Sequence, residues 1–460
     1  MDNNSLKQYT DLYEQYGAQL RAGAPEALNR RRRQAHTLLT QPETRLPHRG
    51  QDGYAHTDLN AMFAPDFGVN IGRLGFRADV AEAFHCGVPN VSALSGVVAN
   101  DVFGPGEAMA HRLPEGVTVT SLGRAALICP EILDRYYDTV APATNPAVAL
   151  NTMLVQDGVL VHIARNVKLP QPLQLIEILG GVTSPLLALR RLLVVLEDNA
   201  ECRMLVCDHA ARTDGADGKP VPLASDTVVE ICMAPGSRLE YYDMQESGTG
   251  NARYECLAVR QQAGSSFRSN ISTLRCGTTR NDITVSLDGE GCECNLSGMA
   301  ITDGTQVADN STVVIHNAPH CYSNQLFKYV ADGESRGTFE GLIKVQAGAH
   351  HTEAYQNNRN ILASPGARMH TRPQLEIYCD DVRANHGAAT GQLDADALFY
   401  MRTRGIPEDE ARTMLMQAFM VDVVDTIGLT PLRERMRQLV SRRFDNPADA
   451  CAACAGETQS

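Results

Sequence analysis

The sequence predicts a mainly β protein whose central strands are flanked by helical segments at both ends. From about residue 151, helical periodicity disappears and short β-branched runs alternate with small turns. Turn markers recur at a near-constant step: Gly236, Gly264 and Gly291 are separated by 28 and 27 residues. A step of this size is typical of stacked repeats and favours a solenoid, although a β-sandwich would also give many short strands.

Composition and charge limit the kinds of protein and partner that this sequence is compatible with. The chain has 460 residues, 43% of them hydrophobic and 21% charged, which is ordinary for a globular protein of about three domains. Its net charge of −13 argues against nucleic acid and anionic membranes as partners. The N-terminus has no basic start followed by an apolar run, and Arg190 and Arg191 interrupt the longest apolar segment. Thirteen scattered cysteines are typical of reduced thiols, so we expect a cytoplasmic protein.

Residues 1–150 are predicted to form an N-terminal, mainly helical α/β domain. Residues 116–120 alternate like a strand, and Pro130 suits the first turn of a helix. The four consecutive arginines at 30–33 are interpreted as a solvated helix face rather than an anion site.

The β core is predicted over residues 151–388. Its strands are expected at runs rich in β-branched residues, namely 159–163, 173–178, 227–231 and 283–287. Glycine fits the tight corners between such strands because a larger side chain would clash with the stacked turn.

A C-terminal helical domain is predicted over residues 389–444, followed by a flexible tail at 445–460. Asp394 is a good N-cap for the first helix, and Gly405 can take the left-handed conformation after its end. The second helix should start near Pro407. We expect its buried face to consist of residues with helical spacing, namely Ala411, Met414, Leu415, Ala418 and Phe419.

Several long motifs, in order along the chain, resemble the SufB/SufD family of iron–sulfur cluster assembly proteins, and its SufD branch more closely. The densest stretch is 376–405, which contains His386-Gly387 and residues 390–394. Further segments that match the family are 150–152, 157–158, 335–341, 356–360 and 373–377. The resemblance covers roughly residues 130 to 430 and decides between the two open folds. It implies a right-handed parallel β-helix core.

The resemblance also implies partners. A SufD-like chain would pair edge to edge with a SufB-like paralogue, and its C-terminal helices would dock a SufC-like ABC ATPase. We expect the docking surface to include Tyr400, Arg402 and Arg404. A homodimer of the isolated chain is a further expectation, whereas nucleic acid and membrane are not expected as partners.

His386 is the main candidate site residue. Its neighbours Asn385, Gly387 and Gly391 predict a flexible loop between a strand at 376–382 and the C-terminal helices. An imidazole can ligate iron or hold a proton, whereas the alternative is a structural histidine at a domain joint. By resemblance, this histidine lies at the SufB–SufD junction where a nascent cluster forms. Many relatives have cysteine two residues earlier, where this chain has Ala384, so His386 would act with ligands from a partner.

Other potential metal ligands receive less support. Cys451 and Cys454 form a CxxC pair that supplies two ligands in the tail, and an inert tail is the alternative. Cys292 and Cys294 are interpreted as core residues. Two histidine pairs also lack the geometry of a metal site in the predicted strands and turns, namely His316 with His320 and His350 with His351.

By this resemblance, we expect a non-catalytic scaffold subunit of an ATPase-driven assembly complex that acts in iron acquisition. No intrinsic cofactor is expected. A transient iron–sulfur cluster or iron would lie at the partner junction, and reduced flavin would bind only within the complex. Two alternatives stay open: a SufB-like scaffold that binds the cluster itself, and a carbohydrate-active β-helix enzyme, for which clustered carboxylates are lacking.

Overall fold

A computed structural model describes residues 4–22, 24–71, 93–211 and 219–445. Over these residues, the chain forms a parallel β-solenoid with helices packed on its outer faces. The strands of the described residues are β1 (Leu94–Ala99), β2 (Val102–Pro105), β3 (Val117–Ser121), β4 (Val159–Ile163), β5 (Leu173–Leu179), β6 (Leu186–Leu196), β7 (Glu201–Ala210), β8 (Leu223–Met233), β9 (Arg238–Glu246), β10 (Ala252–Gln261), β11 (Ser266–Arg275), β12 (Thr278–Leu287), β13 (Glu293–Thr302), β14 (Val307–His316), β15 (Tyr322–Ala331), β16 (Arg336–Val345), β17 (Thr352–Leu362), β18 (Arg368–Ile377) and β19 (Val382–Gly391).

Helices precede and follow the solenoid. None of the helices in the described ranges is both long enough and apolar enough to cross a membrane. They are α1 (Leu6–Ala22), α2 (Glu26–Leu39), α3 (Leu59–Met62), α4 (Glu107–His111), α5 (Leu122–Ile128), α6 (Pro130–Tyr136), α7 (Pro146–Leu154), α8 (Ala395–Thr403), α9 (Glu408–Val424) and α10 (Thr430–Asp445).

Successive strands alternate between two sheets, which confirms the β-helix. From β5 onward, odd-numbered strands form one sheet and even-numbered strands the other, and each strand pairs in parallel with the strand two later. Ala252 pairs with Thr278, 26 residues further on, and Arg336 pairs with Arg368, 32 residues further on. One turn of the solenoid therefore takes about the number of residues that the glycine spacing indicated. Gly236, Gly264 and Gly291 lie at corners, as predicted, but they share a positive φ, and a Cβ would clash only at Gly236.

The predicted strands in the core are confirmed, and β4 has the predicted limits. At the N-terminal end, β3 and the helix that begins at Pro130 are also confirmed. β1 and β2 were not predicted. They form an antiparallel pair that extends the odd-numbered sheet, and β3 pairs antiparallel with β4 at the corresponding edge of the other sheet.

Helices cover the outer faces of both sheets. On the even-numbered sheet, α7 packs against β6 and β8, and α1 and α2 pack on α7. The arginine run at 30–33 is not wholly solvated: Arg32 is buried and donates to the carbonyl of Met153 at 3.1 Å, so the predicted solvated face is wrong at this residue. On the odd-numbered sheet, α9 packs against β13 and β15, and α10 packs against β11.

α8 begins and ends as predicted, and α9 begins as predicted after Pro407 but buries a different face. The Asp394 carboxylate accepts the N–H groups of Asp396 and Ala397 at 2.9 and 3.0 Å, and Gly405 has a φ of +88°. In α9 the buried residues are Ala411, Met420, Val423 and Val424, whereas Met414 and Ala418 are exposed. The predicted face was wrong because α9 is apolar on more than one side, so its periodicity does not select the face that contacts the sheet.

The predicted loop around His386 is a strand. β18 ends at Ile377, residues 378–381 form a turn, and β19 runs over Val382–Gly391, where a flexible loop had been predicted. All ten residues of β19 pair in register with β17. The Gly/Ala-rich sequence has low β propensity, and the template offered by β17 overrides it. The predicted domain boundary after residue 388 falls inside this strand.

Candidate functional site at the open end of the solenoid

The last turn of the solenoid leaves an open edge. At this end β18 and β19 are the last strands of the two sheets, with no further strand beyond them in the described residues. Eight of the ten residues of β19 are exposed. An edge strand presents unpaired N–H and C=O groups and can accept a strand from another chain. We call β18 and β19 together the open edge.

His386 lies on the rim of the solenoid interior. It pairs with Gln356 of β17 and is exposed. Two residues earlier, Ala384 packs against an interior cluster that contains Ile343 and Val345. Side chains two residues apart in a strand share a face, so His386 faces the interior side of β19. Its imidazole is therefore accessible at the open edge and held on a strand, rather than carried on a loop.

Gln356 supplies further polar groups beneath His386. Its side chain is 2% exposed, and neither atom of its amide has a hydrogen-bond partner among the described residues. Gly341 lies beside it, since a Cβ at Gly341 would overlap the Gln356 amide. Sequence reasoning missed Gln356 as a site residue, although it opens one of the segments that carries the family resemblance.

A thiol–imidazole pair lies at the same end. The Cys379 Sγ is 3.3 Å from the His350 Nδ1, and Cys379 is 7% exposed. Cys379 belongs to the interior cluster against which Ala384 packs. The position two residues before His386 carries no thiol in this chain, but Cys379 places one in the turn before the same strand. The position of this thiol near the strand that carries His386 follows only from the packing of the turn against the interior.

The predicted docking residues are exposed on α8 and at its C-terminal cap, Arg404. No residue of this helix is buried, and Phe399 and Tyr400 are 68% and 57% exposed. Arg404 lies over the Tyr400 ring at 5.0 Å from its centroid, whereas Arg402 forms an ion pair with Glu408 at 3.2 Å. The structure thus brings Tyr400 and Arg404 together and ties Arg402 to the start of α9.

An apolar groove of about 320 Å³ runs between α9 and α10 on their outer side. Met414, Ala418 and Val421 line it from α9, and Val440 lines it from α10. Met414 and Val421 are 44% and 38% exposed. Exposed apolar side chains that line a groove are typical of a protein-docking site.

The remaining metal candidates divide into three cases. Cys451 and Cys454 lie outside the described residues. Cys292 and Cys294 are buried, which confirms their core assignment. His316 is buried and bonded to Ser323 at 2.8 Å, and burial lowers its pKa to about 4, so it stays neutral. Across the described ranges, no three or more histidine, cysteine, aspartate or glutamate side chains converge on a metal position.

Comparisons with known proteins agree with this architecture. Residues 181–419 match the family model described as the SufBD core domain of SUF system FeS cluster assembly, and residues 3–175 match the SufBD protein N-terminal region. An iron–sulfur cluster assembly SufBD family protein of Synechocystis sp. is 30% identical over 87% of this chain and 88% of its own length.

Two relatives carry the name SufD. Iron–sulfur cluster assembly protein SufD of Bacillus subtilis is 23% identical over 72% of this chain and 74% of its own length. Its namesake from Escherichia coli is 32% identical over 37% of this chain and 40% of its own length. With both family models matched in order and the parallel solenoid present, the chain belongs to the SufB/SufD family of iron–sulfur cluster assembly proteins.

Proposed function

We propose that this chain is a SufD-like scaffold subunit of a cytoplasmic SufB–SufC–SufD complex. The observation that carries the proposal is the open edge, where a parallel solenoid ends on an exposed ten-residue strand that bears His386. Isolated proteins usually shield such an edge, so one left open is suited to a partner strand. The family match argues against the carbohydrate-active alternative.

The partner at the open edge is a SufB-like paralogue. Its own edge strand would continue the sheet from β19 and place its ligands next to His386. One imidazole cannot hold an iron–sulfur cluster, which takes about four ligands, so the partner supplies the others. Iron or a nascent cluster is the cargo at this junction, and the complex acts in iron acquisition. When the chain is isolated, the same edge can pair with a second copy.

A SufC-like ABC ATPase is the second partner, bound by α8 and the groove between α9 and α10. α9 and α10 contact β11, β13 and β15 of the odd-numbered sheet, whose last strand is β19, so a movement of the bound ATPase would act on the sheet that ends at the open edge. The chain itself has a non-catalytic role. Reduced flavin belongs to the assembled complex in this proposal, without a binding site assigned on this chain.

A matched pair of proline variants tests edge pairing. Neighbouring residues of a strand point their N–H groups to opposite sides, so one of Ala388 and Ala389 faces β17 and the other faces the open edge. Proline removes the N–H and blocks pairing on one side only. The variant whose proline replaces the N–H at the open edge, either Ala388→Pro or Ala389→Pro, should keep the melting temperature and lose co-purification with a SufB-like partner. If both variants melt normally and retain the partner, β19 is not the pairing edge.

His386→Ala tests the cargo role. Because His386 is exposed, its removal leaves no cavity, and we expect normal melting, normal complex assembly and poor maturation of iron–sulfur enzymes in cells lacking the native protein. Asn385→Ala, the adjacent exposed residue on the opposite face of β19, is the matched control. Full maturation by the His386 variant would assign the histidine a structural role.

A further inference from the structure

The turns that lead into the odd-numbered strands stack into a row along one corner of the solenoid. One residue in each turn has positive φ, and backbone bonds join the turns: the His320 N–H donates to the His350 carbonyl, and the His351 N–H donates to the Asp381 carbonyl, both at 2.8 Å. The row consists of Asn166, Asn199, Gly236, Gly264, Gly291, His320 and His351, with φ between +56° and +71°. Side chains of neighbouring members therefore stand one above the other.

Histidine takes the place of glycine at this corner in two successive turns. Glycine adopts positive φ without penalty, and asparagine and histidine are among the larger residues found there more often than others. The row contains glycine in three successive turns and then histidine in the next two. Two imidazoles are thus placed in register at a corner where glycine already meets the backbone requirement in the preceding turns.

The two histidines form a polar row with carboxylates at both ends. The rings of His320 and His351 stack with centroids 4.7 Å apart at 28°. The His351 Nδ1 lies 2.9 Å from Asp381 Oδ2, and the His320 Nε2 lies 4.0 Å from Glu290 Oε1. Both imidazoles are about half-exposed, at 54% and 56%. A carboxylate on Nδ1 fixes the tautomer and leaves the Nε2 lone pair of His351 free, which is the arrangement of a metal-binding histidine.

We propose that His320 and His351 form a binding site for a divalent transition-metal ion that prefers imidazole, the class that includes nickel, zinc and iron(II). Asp381 positions the ring of His351, and a small rotation of the exposed His320 ring brings its nitrogen within ligand distance of the same ion. Since no third protein ligand converges there within the described residues, water completes the coordination and the ion exchanges readily. The inference rests on the corner itself and stands whether or not the proposed complex forms.

Nickel titration of the full-length chain tests the site. We expect one equivalent of Ni²⁺ to bind in a chain carrying Cys451→Ser and Cys454→Ser, which removes the thiols of the tail. His320→Asn and His351→Asn should each weaken binding about tenfold or more, because each removes one of two ligands. Asparagine is the suitable replacement, since Asn166 and Asn199 occupy the same corner with positive φ. Asp381→Asn should weaken binding about tenfold through loss of the partner of His351.

His111→Asn, at a lone exposed histidine, is the matched control and should leave Ni²⁺ affinity unchanged. Unchanged affinity in both corner variants would overturn the proposal, as would binding that disappears with the tail cysteines alone. If a corner variant loses its melting transition, the site is tested in the unaltered chain instead. There, His320 and His351 are modified by diethylpyrocarbonate with and without Ni²⁺. Ni²⁺ should protect both residues, and equal labelling with and without Ni²⁺ would refute the site.

Discussion

At the scale of the residue, single buried charged side chains connect the N-terminal segments to the solenoid. The Glu230 carboxylate accepts the backbone N–H groups of four consecutive residues, 138–141, at 2.7 to 3.1 Å. It also accepts from Arg191 at 2.7 Å, and Arg191 binds Asp138 at 2.7 Å. Burial of Glu230 raises its pKa, but Arg191 and the N–H donors outweigh that effect, and the pKa lies below its usual value. Glu230 therefore fastens the segment after α6 to the solenoid.

Replacement of this carboxylate should be costly. Glu230→Gln leaves Arg191 partly unpaired and should lower the free energy of unfolding by about 3 kcal/mol at neutral pH. A carboxyl with a depressed folded pKa stabilises above its unfolded pKa, and that contribution disappears as pH falls through the folded value. Acidification should therefore lower the stability of the variant less than it lowers that of the native chain. Thermal melts from neutral pH to about pH 3 measure both effects.

The matched control is Glu43→Gln, which changes an exposed carboxylate and should melt like the native chain. Equal stability of Glu230→Gln and the native chain at neutral pH would show that the four N–H donors are satisfied without the carboxylate.

At the scale of the element, α9 has two apolar sides with different uses. Met420, Val423 and Val424 are buried in a cluster with side chains of the odd-numbered sheet, including Tyr242 and Met299. A second side, which borders the first at Val424, leaves Met414 and Val421 exposed in the groove with α10. Deletion of residues 394–460 would uncover the sheet as well as remove the docking surface, so surface substitutions are the cleaner test.

A charge placed in the groove should prevent docking without unfolding the chain. Met414→Glu and Val421→Glu each put a carboxylate on an exposed apolar position, and Tyr400→Ala removes the exposed ring on α8. We expect each variant to melt normally and to lose most of its co-purification with a SufC-like ATPase, because a buried unpaired charge opposes association.

Leu127→Glu is the matched control for docking, since Leu127 is 83% exposed on α5. This variant should retain the ATPase. Retention by all three docking variants would place the ATPase interface elsewhere on the chain.

At the scale of the whole molecule, an N-terminal segment ties distant turns of the solenoid together. Tyr54 donates to Asp282 of β12 at 2.5 Å, and Thr57 donates to Asp309 of β14. Further along, Arg372 of β18 pairs with Asp52 at 3.0 Å, and the rings of His56 and His370 stack 3.5 Å apart. The segment before α3 thus reaches the open edge from the other end of the chain.

We expect the isolated chain to release no phosphate from ATP, because its sequence contains no Walker-type phosphate-binding loop. Phosphate release should appear when a SufC-like ATPase is added. Turnover that co-elutes with the pure, partner-free chain would contradict the assignment as a non-catalytic scaffold.

Local sequence determined the elements whose conformation depends on residues close to one another in the chain. The strand at Val159–Ile163, the Asp394 cap and the positive φ of Gly236, Gly264 and Gly291 each depend on side-chain and backbone preferences within a few residues. The family motifs also gave the β-helix, because they extend over most of the chain.

Tertiary structure decided everything that depends on stacking between turns. β19 is a strand because β17 offers it a ladder, although its Gly/Ala-rich sequence predicts a loop. Gln356 lies under His386, and His320 lies against His351, only because residues about 30 positions apart occupy the same place in successive turns. The sequence shows the length of a turn, but the register between turns is set by the packing of the interior. That register decides which side chains meet.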